Sequence, residues 1–155
     1  MAMPSGPCSV ANLQKYFGVR ADEASRICNK ESGGAPIKSG TDICADGKSF
    51  SGGLFQINII SEADKIPGCV KSELVKNPNL SDGGIGGCAT ARVTSSNGIT
   101  YCPKRQCEFK SEAMYNTCMR AVTVQSVNLS VAKKLFDARG FQPWVNSSRA
   151  CNIPY

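Results

Sequence analysis

Nine cysteines scattered along 155 residues, with no histidine anywhere, constrain this chain more than any other feature. They stand at Cys8, Cys28, Cys44, Cys69, Cys88, Cys102, Cys107, Cys118 and Cys151 rather than in paired C-x-x-C knuckles. That spread predicts disulfides and an oxidising compartment, hence a secreted, extracellular protein. A zinc site would have to use thiolates or carboxylates, and only Cys102 and Cys107 are spaced for one, so no metal and no cofactor are expected. The odd count leaves one thiol free or joined to a second chain, and spacing does not choose among the many possible pairings of the other eight. Without histidine, Ser-His-Asp and Cys-His catalysis are excluded, and acid–base work would fall to carboxylates, tyrosine, lysine or cysteine.

The length fits a single domain, residues 1–155, that buries about two thirds of its unfolded surface. A hydrophobic content of 41% and a charged content of 19% describe a folded chain. No apolar run reaches the roughly 18 residues of a membrane span. A formal charge of +6 makes anionic polymers plausible partners: nucleic acid, acidic membrane or bacterial wall. No nucleic-acid recognition motif accompanies it, so that partner is not expected. Lys104, Arg105 and Lys110 could meet a wall polymer, although such a cluster is usually a solvated face. Met1-Ala2-Met3-Pro4 lacks the charged start and apolar core of a secretory signal, and residues 1–7 read as a flexible or engineered end. A monomer is expected, with no internal repeat.

Helical spacing of Val10, Leu13, Tyr16 and Phe17 after Ser9, a good N-cap, predicts a first helix stopped by Gly18. A second helix should begin near Arg20 or Ala21, with Asp22 and Glu23 in its first turn, and end at Gly33-Gly34. Its inward stripe holds Ala24, Ile27 or Cys28, and Glu31. A carboxyl group on that stripe is partly desolvated, which raises its pKa and suits it to general acid catalysis. The competing reading is a glutamate that swings into solvent or pairs with Lys30 or Arg26. Residues 35–53 are turn material, with Asp46-Gly47 signalling a hairpin turn and a short irregular β-ribbon. The apolar run Leu54–Ile60 follows; if it is extended, Gln56 and Asn58 share one side. Residues 61–97 read as short polar helical patches braced by Cys69 and Cys88, and residues 95–107 as a loop. Glu112–Val127 and Asn128–Arg139 read as the last two helices, the second stopped by Gly140.

Glu31-Ser32-Gly33 followed by Gly53-Leu54-Phe55-Gln56-Ile57-Asn58, with Gly53 22 positions after the glutamate, resembles the lysozyme superfamily. The likeness extends to animal c-type and goose-type lysozymes and to soluble lytic transglycosylases. It covers residues 25–58 and is supported by Asn128-Leu129, Ala132, Leu135-Phe136, Gly140-Phe141 and Pro143-Trp144, which look like the last helix and closing turn of secreted and phage-derived members. The middle of the chain has no counterpart. The resemblance implies an α+β, predominantly helical, disulfide-braced fold with a β-ribbon beside a cleft. It further implies a bacteriolytic, antimicrobial muramidase that cleaves peptidoglycan between N-acetylmuramic acid and N-acetylglucosamine, with Glu31 as general acid.

The chain departs from that pattern at the second carboxylate. The position of the c-type nucleophilic aspartate is Ser51, and the goose-type acidic positions correspond to Asp46 and, after the Q-I pair, to Asn58. Two routes survive: hydrolysis with Asp46 activating water, or lytic transglycosylation by Glu31 alone, which leaves an anhydro sugar. Asp46 reads equally well as a turn-forming aspartate. The likeness and the chemistry of the side chains also nominate Ser32, Ser51, Gln56 and Asn58 as polar contacts to sugar. The competing role of Ser32, Gln56 and Asn58 is to tie the loop to the ribbon. Tyr101 and Tyr115 are candidate stacking platforms, with core packing as the competing role, and Trp144 reads as a buried plug. A different class remains open, a non-catalytic lysozyme-like glycan-binding protein; retention of a glutamate at position 31 favours the enzyme.

Overall fold

The computed structural model describes all of residues 1–155. The fold is α+β, and helices account for about 45% of the chain. In order, the helices are α1 (Val10–Phe17), α2 (Ala21–Ser32), α3 (Lys71–Leu74), α4 (Ser81–Gly84), α5 (Glu112–Thr123), α6 (Gln125–Arg139) and α7 (Val145–Ala150). Four two-residue strands, β1 (Ser51–Gly52), β2 (Ile57–Asn58), β3 (Val93–Thr94) and β4 (Thr100–Tyr101), form two small sheets, β1 with β2 and β3 with β4. No helix is long and apolar enough to cross a membrane.

The first two helices begin and end where their residues dictate. Ser9 Oγ accepts from the Asn12 N–H at 3.3 Å, satisfying one of the free donors of the first turn of α1. Asp22 and Glu23 occupy the positive end of α2, and Gly33 closes it in the left-handed conformation at φ 64°, its N–H bonded to the Asn29 carbonyl. Residues 1–7 are tied in: the Met3 N–H donates to Ser25 Oγ at 2.8 Å, and Asn12 Nδ2 donates to the Pro7 carbonyl at 2.7 Å. The last two long helices divide at Val124, whose extended backbone breaks the helical run. The boundary expected near Val127 and Asn128 therefore lies earlier.

The chain groups into two compact units: residues 1–37, 53–57 and 122–155 in the first, residues 38–52 and 58–121 in the second. The first unit is built on aromatic packing. Phe17 lies 5.3 Å from Phe55 and 5.2 Å from Phe136, Phe136 lies 4.8 Å from Phe141, and Phe55 meets Trp144 edge-on at 5.4 Å. Each ring removes a large apolar area from water, and the edge and tilted geometries suit the ring quadrupoles. Trp144 is buried, as expected of a plug, and its indole N–H donates to the Phe55 carbonyl at 2.8 Å. One disulfide, Cys8–Cys28, joins the end of the N-terminal segment to α2.

The second unit has α5 as its one long helix and is held by three disulfides, Cys44–Cys107, Cys69–Cys118 and Cys88–Cys102. Cys151, in the first unit, is the free thiol. Cys102 and Cys107, the pair spaced for zinc, bond to different partners, and no cluster of ligating side chains is present. The Asp46-Gly47 turn forms as expected, with Gly47 N–H donating to the Cys44 carbonyl and an Ile43–Ser49 bridge behind it. Residues 95–107 depart from the loop reading. Val93 pairs with Tyr101 and Thr94 with Thr100 in an antiparallel hairpin turning at Asn97-Gly98, where Gly98 takes φ 83°.

Candidate functional site

Glu31 sits in the last turn of α2, four residues after the buried Ile27 and seven after the buried Ala24. The residue is half-buried. Ser147 Oγ of α7, itself buried, donates to Glu31 Oε1 at 2.6 Å. That hydroxyl anchors one oxygen and restricts the rotation of the side chain. Ser32 Oγ donates to the Cys28 carbonyl at 3.2 Å and accepts from the Gly34 N–H at 3.2 Å, so it shapes the helix end.

The Gly53–Ile57 segment belongs to the same unit as Glu31. Its course is set by Asn128 of α6, which is fully buried. Asn128 Oδ1 accepts from the Phe55 N–H at 2.9 Å while its Nδ2 donates to the Val122 carbonyl at 2.8 Å. Gly53 packs against this amide so closely that a Cβ there would lie 2.1 Å from both Asn128 Nδ2 and the Val122 carbonyl oxygen. With φ at 81° as well, the position demands glycine twice over. Gln56 is not extended: its φ of 48° puts it in a left-handed turn, so it does not share a strand face with Asn58. Gln56 Nε2 donates to the carbonyls of Ile37 and Gly53 at 3.0 and 2.9 Å.

The remaining nominated residues lie in the second unit. Asn58 Oδ1 accepts from the N–H groups of Ile60 and Ser61 at 2.9 and 3.0 Å, capping the turn that follows β2. Ser51 is buried in β1, and its carbonyl accepts from the Ser39 N–H at 2.9 Å. Asp46 is exposed and both its oxygens accept backbone N–H groups, Oδ1 from Lys48 at 3.1 Å and Oδ2 from Phe109 at 2.8 Å. It locks its own turn and ties that turn to the segment after Cys107. Arg105, one of the cations considered for a wall polymer, is committed to Asp82 at 2.7 Å and to the Gly86 carbonyl.

The two tyrosines separate. Tyr115 is 3% exposed, packs 4.6 Å from Phe109 and donates its hydroxyl to the Ser49 carbonyl at 3.0 Å. Lys38 and Lys48 lie 5.2 Å from its ring centroid, and Lys48 also pairs with Glu112. Burial holds its hydroxyl above the usual tyrosine pKa, and the charges of Asp46 and Glu112 add to the effect. Glu112 itself is pulled below the ordinary glutamate value by its hydrogen bond to Lys48. Tyr101, in contrast, is 47% exposed.

Two participants escaped the sequence reading. Ser147 lies 116 positions from Glu31, and no local pattern links them. Asn128, whose role in the Gly53–Ile57 turn went unread, carried a visible signal, an amide among the buried Leu129, Val131 and Ala132 of α6, where a buried polar group must have partners. No family model matches the chain, and it has no significant match among curated proteins or solved structures.

Proposed function

We propose that the protein is a lysozyme-like glycosidase that cleaves bacterial peptidoglycan, with Glu31 as the general acid. The observation that carries the reading is the half-buried Glu31, whose carboxyl group is oriented by Ser147 at 2.6 Å. The Gly53–Ile57 segment, pinned by Asn128 within the same unit, adds support. In the proposed reaction Glu31 gives its proton to the glycosidic oxygen. The C1–O bond then breaks with its electron pair passing to that oxygen, leaving a sugar with oxocarbenium character. The four disulfides accord with work in an oxidising, extracellular setting.

Two ways of completing the reaction differ in what attacks C1. In the hydrolytic route Asp46 would take a proton from water as the oxygen bonds to C1. In the second, the muramyl sugar's own 6-hydroxyl attacks C1, the ionised Glu31 takes its proton, and a 1,6-anhydro end results. The two backbone hydrogen bonds already accepted by Asp46 favour the second.

Glu31→Gln keeps the hydrogen-bonding shape and removes the proton. It should lower the rate of wall clearance by about 10²–10⁴-fold, the usual contribution of a general acid, without unfolding the protein. Clearance at the wild-type rate would end the assignment. Mass spectrometry of digested peptidoglycan separates the routes: reducing ends mark hydrolysis and anhydro ends mark transglycosylation.

A further inference from the structure

A cavity of about 610 Å³ in the second unit is lined by Gly40, Thr41, Asp42, Tyr101, Cys102 and Pro103. Its volume lies within the roughly 300–1,000 Å³ range of small-molecule sites. The walls are fixed before any ligand arrives. Ser39 Oγ accepts from the N–H groups of Thr41 and Asp42 at 3.2 and 2.9 Å, and the Asp42 carbonyl accepts from the Phe50 N–H at 2.8 Å. On the other side, Tyr101 is paired with Val93 in the hairpin, and the adjoining Cys102 is bonded to Cys88. A site so held loses little freedom on binding.

The Asp42 carboxylate is the unusual group. Among the half-buried carboxylates of this unit, Glu62 pairs with Lys65 at 2.9 Å and Glu108 with Lys76 at 3.3 Å, whereas Asp42 has neither a cation nor a hydrogen-bond donor on its side chain. No lysine or arginine lines the cavity, although the chain carries 18 of them. A half-buried carboxylate and an exposed tyrosine ring that line one cavity are matched by a cation small enough to reach both. The proline and the disulfide supply an apolar wall for an aliphatic arm.

We propose that this cavity binds a primary alkylammonium group, with Asp42 as its counter-ion, the Tyr101 ring as its cation–π face, and Pro103 and Cys102 against the arm. The site stands independently of the catalytic reading. If that reading holds, the natural source of the group is the side-chain amine of a diamino acid in the peptide stems of the wall polymer.

The test uses the full oxidised chain, observed by amide NMR. Titration with Nα-acetyl-lysine amide should give saturable shifts at Thr41, Asp42, Tyr101 and Cys102, and the Nε-acetylated analogue should give none. Asp42→Asn should weaken the binding roughly tenfold, and Tyr101→Leu about two- to fivefold, with the remaining resonances unmoved. Equal shifts from the two probes, wild-type affinity in Asp42→Asn, or no saturable shift would overturn the proposal. Wall preparations with free and acetylated amines extend the test: acetylation should raise KM and spare kcat. Binding of the free amine without Glu31-dependent lysis would sink the catalytic reading and leave the site standing. Glu31-dependent lysis without amine binding would do the reverse.

Discussion

The two compact units solve the same stability problem by different means. The first gathers Phe17, Phe55, Phe136, Phe141 and Trp144 with one disulfide, so its order rests on burying apolar rings. The second has few long elements and adds to its aliphatic core of Ile59, Ile60, Leu74 and Val75 three disulfides and side chains that bond to turns, as Asp46 and Asn58 do. The lesson concerns what each can support. A packed helical frame holds one acid in a fixed rotamer, as Ser147 and α2 do for Glu31, while stapled loops present exposed walls such as Tyr101 on short elements.

That contrast can be broken by perturbing each unit alone. The largest effect is expected from Gly53→Ala, where a Cβ would lie 2.1 Å from two atoms and the backbone sits at φ 81°. A loss on the order of 5 kcal/mol is expected, read as a large drop in the denaturant midpoint. Next comes Cys44→Ser with Cys107→Ser. This opens a loop spanning a sequence separation of 63 and should cost about 4 kcal/mol in the chain-entropy picture. Hydrogen exchange should then rise in residues 38–52 and 58–121 while the aromatic unit keeps its protection. A uniform rise throughout both units would mean that they unfold as one, and the contrast would fail.

The smallest effect sharpens the contrast by pH. The Tyr115 hydroxyl titrates above the ordinary value of 10.0 in the folded chain, so the native state holds this proton more tightly than the unfolded state does. Its contribution is therefore fully present below about pH 10 and is lost as pH rises through the folded value. Tyr115→Phe removes the bond to the Ser49 carbonyl and should cost about 1 kcal/mol at neutral pH. It should also shallow the alkaline loss of stability, measured by denaturant melts across the alkaline range. An unchanged alkaline profile in the variant would assign that loss to other groups.

Much of the frame was legible because its signals are local. Ser9, Gly18 and Gly33 marked the ends of α1 and α2, and the stripe through Ala24 and Ile27 put Glu31 on the inner face. The hairpin at residues 93–101 was missed: Asn97-Gly98 is a strong turn signal, but its flanking residues are threonine, serine and isoleucine rather than a clear alternating run. The short apolar run Leu54–Ile60 left its backbone open, and Gln56 proves not to be extended: its left-handed backbone belongs to the turn that Gly53 and Asn128 shape. Disulfide partners, the Ser147 bond to Glu31 and the open carboxylate of Asp42 depend on residues far apart in the chain, where periodicity carries no information.

By itself, the sequence determined a disulfide-bonded, α+β chain with a glutamate closing its second helix, because cysteine count, caps, turn signals and helical spacing each act over a few residues. Only the tertiary structure decided which cysteines meet, which backbone groups Asp46 and Tyr115 bond, and that Ser147 orients the acid. Those outcomes follow from excluded volume and from the need to satisfy buried polar groups, conditions that exist only once distant segments share the same space.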